Sequence, residues 1–229
     1  MAMSPEELVT LFRGQVDDLV EPYLWSDDEV YFYLDQAQRK FARWTHLFQD
    51  ASTAAVTQVA VTAAEPFVVL DSRILEVRRA SLSDGSKVEV RNQGEMEDVY
   101  GELDYGVPMS SKWMTATGKP RYLVMDVEEG KGRLVPIPET DDTLSLFVVR
   151  LPLNKVTVDS VVLEVKDDED QHALLSWMRH LAYLKQDSQT LNPQLSNESV
   201  AEFIAYCVDR KSELRNKRRR PGAVRYGGL

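Results

Sequence analysis

Three histidines, one cysteine and two runs of acids are the side chains of this 229-residue chain with the most chemical potential. His172 and His180 stand eight residues apart, about two helical turns, while His46 is remote from both; none has neighbours at zinc-ligand spacing. Cys207 falls among the apolar residues of a C-terminal helical pattern, the place of a small buried hydrophobe rather than of a nucleophile. Asp27/Asp28/Glu29 and Asp167/Asp168/Glu169/Asp170 could hold a divalent ion, or pair as acid and base if a cleft brought them together. Both runs, however, stand where a helix begins, and carboxylates there complement the positive end of the helix dipole. Capping is the simpler reading. No phosphate-binding GxxxxGK[ST], no GxGxxG after a strand, no GxSxG and no HExxH occurs. The sequence therefore predicts no catalytic residue, no metal site, no cofactor and no enzymatic activity.

The sharpest chemical contrast is one of charge. The formal net charge is -10, yet residues 210–229 hold eight of the 27 basic residues and a single acid, Glu213. That end carries +7 and the remainder −17. Like charges concentrated in this way mark a tail with an acidic partner, a phosphate backbone or a helix end left in solvent. After Pro221 the chain reads GAVRYGGL, flexible and punctuated by Val224, Tyr226 and Leu229, with Arg225 able to form a bidentate pair with a carboxylate. A tail made only for phosphates has no use for such anchors, and −17 elsewhere repels a duplex. A protein partner is favoured; nucleic-acid binding through the basic tail is the alternative. The aromatics Trp25, Tyr31, Tyr33, Trp44 and Phe48 are spread around a helix without interleaved Lys and Arg, which suits packing better than base stacking.

The elements that must position these residues are legible in turn. SPEELVTLF opens a helix: Ser4 caps, Pro5 takes the first helical position and Glu7 closes a capping box. Leu8, Leu11, Phe12, Val16 and Leu19 share its predicted apolar face, and Pro22 stops the run. Ser26 and Glu29 repeat the box for a second helix over 27–49, with Val30, Leu34, Ala37, Phe41, Trp44 and Phe48 as its stripe. From about Val56 to Val165 the apolar period becomes two, with strands at 56–61, 74–82, 87–92, 121–127, 132–137 and 143–151. Gly85 and the Gly130/Gly132 pair mark tight hairpins, and 93–119 fits no strand, a loop long enough to be functional. Helices return after DDED, one to about Asp187 with Leu174, Leu175, Met178, Leu181 and Ala182 on a face, then one carrying Val200, Phe203, Ile204, Cys207 and Leu214.

This order predicts an α+β fold: a helical bundle formed by the N- and C-terminal helices, with an inserted antiparallel β block, sandwich or barrel-like. The expected division is 1–54 and 166–217 for the bundle, 55–165 for the inserted β domain, and 218–229 for an extended basic arm. Composition is that of a globular protein, 43% hydrophobic and 28% charged. No basic, apolar leader opens the chain, no apolar run approaches membrane-spanning length, and one cysteine suits a reducing compartment. A soluble protein made in a cytoplasm, without a membrane partner, is expected.

The layout resembles the head-to-tail adaptor, or connector, proteins of tailed bacteriophages. YLWSDDEVYFYLDQAQRKFAR (23–43) carries the resemblance most clearly, joined by RILEVRRASL, VVRLPL, HALLSWMRHLAYLKQDSQT and the terminal VRYGGL. It covers nearly the whole chain. The resemblance implies a structural virion protein assembled in the host cytoplasm at the head-tail junction. Its expected form is a homo-oligomeric, twelve-fold ring between the portal protein and the neck or tail protein below. DNA would pass through the lumen without specific binding, past an acidic wall. It further implies a portal-docking arm of Arg218, Arg219, Arg220, Arg225, Tyr226, Gly227, Gly228 and Leu229. Tyr105, Trp113 and Met114, in the long loop, would then contact a neighbouring subunit or the next ring.

Overall fold

The computed structural model describes residues 2–96, 112–187 and 189–218. The fold is α+β, and the chain divides into a helical unit, Met1–Leu47 with Pro152–Leu229, and a β unit, Phe48–Leu151.

In the helical unit, α1 (Pro5–Gln15) and α2 (Asp27–Thr45) both begin with the capping box their sequences announce. Ser4 Oγ accepts from Glu7 N while Ser4 N donates to the Glu7 carboxylate, and Ser26 and Glu29 do the same for α2. α1 ends earlier than its apolar spacing predicts. Leu11 stays 41% exposed and Leu19, beyond the helix, 63% exposed, so the buried face is Pro5, Leu8, Val9 and Phe12 with the Arg13 side chain. The stop is local: Asp17 turns to φ 56, the left-handed region, and Asp18 N closes back on Arg13 O. α2 likewise ends at Thr45, with His46 as a left-handed C-cap at φ 55. Two further helices, α5 (Asp168–Tyr183) and α6 (Pro193–Arg218), complete the unit. α6 starts well before its apolar positions do, because Asn192 Oδ1 accepts from Leu195 N and Pro193 follows it directly. Phe12 meets Trp25 edge-on at 6.1 Å and Phe41 meets Phe203 at 6.3 Å, within a core that includes Leu34, Leu174, Met178 and Cys207. Burial pushes the Cys207 thiol up to about 12, which keeps it a neutral packing group.

Residues 152–165 belong to this unit although they make no helix. Two buried polar side chains of α2 hold them: Asp35 Oδ1 accepts from Val156 N at 2.9 Å, and Gln38 Oε1 accepts from Glu164 N at 3.2 Å. Val156, Leu163 and Val165 are thereby buried, while Val158, Val161 and Val162 stay in solvent.

The β unit is one eight-stranded sheet. Its strands are β1 (Gln49–Asp50), β2 (Gln58–Val61), β3 (Phe67–Val69), β4 (Ile74–Leu82), β5 (Lys87–Arg91), β6 (Tyr122–Val124), β7 (Lys131–Val135) and β8 (Asp142–Arg150). The order is β1-β8-β4-β5-β6-β7-β3, with β2 also on β8. The pairing is antiparallel except at β5–β6, where Glu89–Arg91 run parallel to Tyr122–Val124, so the sheet is mixed rather than purely antiparallel. A short helix, α3 (Ala54–Thr57), occupies the start of the first predicted strand. The β4–β5 turn places Gly85 at φ +82, and the β6–β7 turn places Gly130 at φ +72. Gly132 serves another purpose: a Cβ there would lie 2.6 Å from Leu123 Cδ1, so its bare backbone lets the core residue seat.

Candidate docking surfaces

Helix α6 is fastened to α5 by three polar groups. Near the turn between them, Ser196 Oγ lies 2.8 Å from His180 Nδ1. Midway, Arg179 donates to Glu202 at 2.6 Å. The last fastening is the densest. Asp170, fully buried in the first turn of α5, accepts from Arg210 Nη2 at 2.8 Å and from the Tyr206 hydroxyl at 2.9 Å, while Asp167 caps the same helix. Burial raises the Asp170 carboxyl, against hydrogen bonds from Arg210 and Tyr206 that lower it. Burial alone would lower the Arg210 guanidinium, yet its bonds to Asp170 and Glu213 carry it above its ordinary value. The result is a buried ionic clamp.

Because α5 and α6 run antiparallel and Arg210 lies against the first turn of α5, the described turns of α6 beyond Arg210 outrun the partner helix. Residues 211–218 are two further turns, about 12 Å of helix, on which Lys211, Arg215 and Lys217 are exposed and only Leu214 is half-buried. The helix reaches Arg218; that side chain, and Arg219, Arg220, Arg225, Tyr226, Gly227, Gly228 and Leu229 of the expected arm, lie outside the described residues. What is seen is the segment that leads to them: a charged helix end held by the clamp.

Of the expected loop contacts, Tyr105 also lies outside the described residues. Trp113, on the short helix α4 (Lys112–Thr115), is enclosed rather than presented: it is 1% exposed, packed with Met96, Val124 and Val135. Met114 packs partly buried against the same cluster. The arginine of β7 ties this helix down, Arg133 donating to Met114 O at 2.6 Å with its guanidinium 5.8 Å from the Trp113 ring. Trp113 thus closes the β core where the long loop returns to it.

The acid runs are engaged in folding. Asp27 pairs with Arg13, Glu29 with Ser26 and Lys185, Asp167 with its own helix end and Asp170 with Arg210. Among the described residues no three His, Cys, Asp or Glu side chains gather as a metal-binding group, and no described helix is long and apolar enough to cross a membrane.

A surface the spacing did not foretell is the α1–α2 loop. Asp18, 3% exposed, takes the Arg13 guanidinium on one side and accepts from Leu24 N at 2.8 Å on the other. Arg13 also donates to Trp25 O and lies 3.9 Å over the Tyr23 ring. This buried frame holds Leu19 and Val20 in water, 63% and 79% exposed. A solvated apolar pair on an ordered loop is a contact waiting for a partner. Its sequence signal is the apolar pair Leu19–Val20 between acids, just before a proline.

The described surface thus offers a charged helix end and an exposed apolar pair. The model of the SU10 adaptor protein family matches residues 3–225, nearly the whole chain. The protein belongs to that family, and is a structural adaptor of bacteriophage. No curated protein matches it.

Proposed function

We propose that the protein is the adaptor ring that joins the portal of a phage head to the neck or tail and lines part of the DNA channel. It performs no chemistry; its work is mechanical. The observation that carries this reading is the end of α6, whose described turns pass the start of α5 beyond the Arg210 clamp and lead into the basic tail, residues 210–229 carrying +7 by sequence. Arg218, Arg219, Arg220, Arg225, Tyr226, Gly227, Gly228 and Leu229 then form the arm that docks on the portal. A helix root clamped to its own fold, followed by a basic sequence that carries Tyr226 and Leu229, suits an intermolecular contact. Copies would associate head to tail and close a ring, twelve-fold in the resemblance's expectation, through heterologous contacts. The excess of acid over residues 1–209 gives passing DNA little to adhere to.

The test is the light-scattering mass of the portal mixed with the full chain or with a truncation ending at Asn216. A portal complex that gains about one copy per portal subunit, and is lost on truncation, is the expected result. Failure of both chains to bind, with salt-sensitive binding to DNA instead, would replace the adaptor reading by nucleic-acid binding through the same tail.

A further inference from the structure

The outer face of the sheet carries a trough of about 620 Å3, lined by Ala51, Arg79, Ser81, Lys87, Ser145 and Phe147. Register explains it. Ala80 and Leu82 of β4 and Leu144 and Leu146 of β8 point into the core, so Arg79, Ser81, Ser145 and Phe147 rise together on the opposite face. Arg79 and Phe147 are directly paired across β4–β8, and Ser81 is paired with Lys87 across β4–β5. The trough therefore offers an apolar floor, two hydroxyls and two cations. Lys87 reaches only its exposed neighbour Glu89, at 3.2 Å, and Arg79 has no acidic partner among the described residues. Such a site suits a short segment that brings an apolar side chain and a carboxylate together.

The chain itself presents that segment. In the α1–α2 loop Asp17, Leu19, Val20 and Glu21 are all exposed, while Asp18 is turned inward to hold them. The loop is ordered before it binds, so it surrenders little conformational entropy on docking. Acid–apolar–apolar–acid against Arg79, Phe147 and Lys87 is complementary in charge and in hydrophobicity.

We infer that Leu19–Glu21 of one copy seats in the Arg79–Lys87 trough of the next, and that this is the head-to-tail contact between copies. Donor and acceptor lie on different surfaces, so the contact is heterologous and propagates around a ring. The inference deepens the ring reading and rests on it for closure, but the contact itself needs no portal.

Two singly substituted proteins, L19C and S145C, are mixed and oxidised, both concentrated alone and in the presence of portal. A mixed L19C–S145C disulfide is expected in preference to L19C–L19C and to L19C with V69C on an unrelated strand. Buried Cys207 stays silent. R79E/K87E in the S145C protein is expected to lower the yield at least about tenfold, and D17K/E21K in the L19C protein to restore it. Circular dichroism and melting temperature identify any variant lost to misfolding, and for these the milder R79Q/K87Q takes the same place. No mixed adduct in either condition, or an adduct indifferent to charge reversal, overturns the inference. Portal capture is measured separately by mass, so a failed contact with intact capture sinks only this inference. Intact contact without capture sinks the portal reading instead.

Discussion

The two units dispose of their apolar residues differently. Among the described residues of the β unit, Val69 is the one large aliphatic side chain more than a third exposed; its strands turn the rest inward. The helical unit leaves Leu19, Val20, Phe32, Val158, Val161, Val162, Leu184, Leu191 and Val208 in solvent. Both have enough buried surface to fold, so the difference is not one of core quality. Apolar side chains left in water gather where association gains most. On the contact inferred above, the helical unit supplies the apolar side chains and the β unit the charge and shape. Each unit is also held by buried ion pairs, Asp50–Arg150 in the β unit and Asp170–Arg210 as well as Arg13–Asp18 in the helical unit, and the first two locate where each can be broken.

The largest effect is expected at Arg150, whose Nε donates to Asp50 at 2.6 Å with both groups almost wholly buried. R150A leaves a buried carboxylate without its cation and should cost about 3–5 kcal/mol. Native-state hydrogen exchange should localise the loss to residues 48–151. R210A is the counterpart in the helical unit. It strips Asp170 of its cation, for about 3 kcal/mol, and frees the last turns of α6, which exchange should report between Tyr206 and Lys217.

Acid sharpens the same comparison. Burial would raise Asp50, but hydrogen bonds from Thr53, Arg150 and Ser52 outweigh it and hold its carboxyl well below the ordinary range. The unfolded chain therefore takes up this proton first, so the stabilisation is complete above the unfolded value of roughly 4 and is lost as pH falls below it. Urea midpoints from pH 6 to pH 2.5 should decline less steeply in D50N than in the parent, which starts higher. Loss of a cap is smaller: S26A should cost about 1 kcal/mol of helical-unit stability, read from the same denaturation curves. Smallest in stability and most telling for the comparison, L19S/V20S should change the unfolding free energy by less than about 0.5 kcal/mol. It should nonetheless lower self-association in sedimentation velocity, whereas V69S should change neither.

Much of the fold could be read from local grammar. Ser4–Glu7 and Ser26–Glu29 wrote their capping boxes into the sequence, and β4 and β8 alternate clearly enough to be seen at nearly their observed lengths. What escaped depends on partners distant in the chain. Nothing in 152–165 says that Asp35 and Gln38, more than a hundred residues earlier, will bind its backbone. The two-residue β1 has no period to detect, and nothing in the pattern of either strand announces the parallel β5–β6 pairing. The docking elements divide in the same way. The basic tail announces itself by composition alone. The α1–α2 loop was misread because its apolar pair continues the helical spacing of α1, and only the burial of Asp18 against Arg13 shows that the helix has already stopped.

The pairing of β1 with β8 has a consequence for how such a protein can change over time. Gln49 lies opposite Val149 and Asp50 opposite Val148, so the β unit's first and last strands are neighbours about 5 Å apart. Seen from the helices, a hundred residues of insertion amount to one closed stitch between Leu47 and Pro152. A cassette with its ends sewn together can be lengthened, trimmed or replaced by another of equal footing without moving the points at which the chain enters and leaves it.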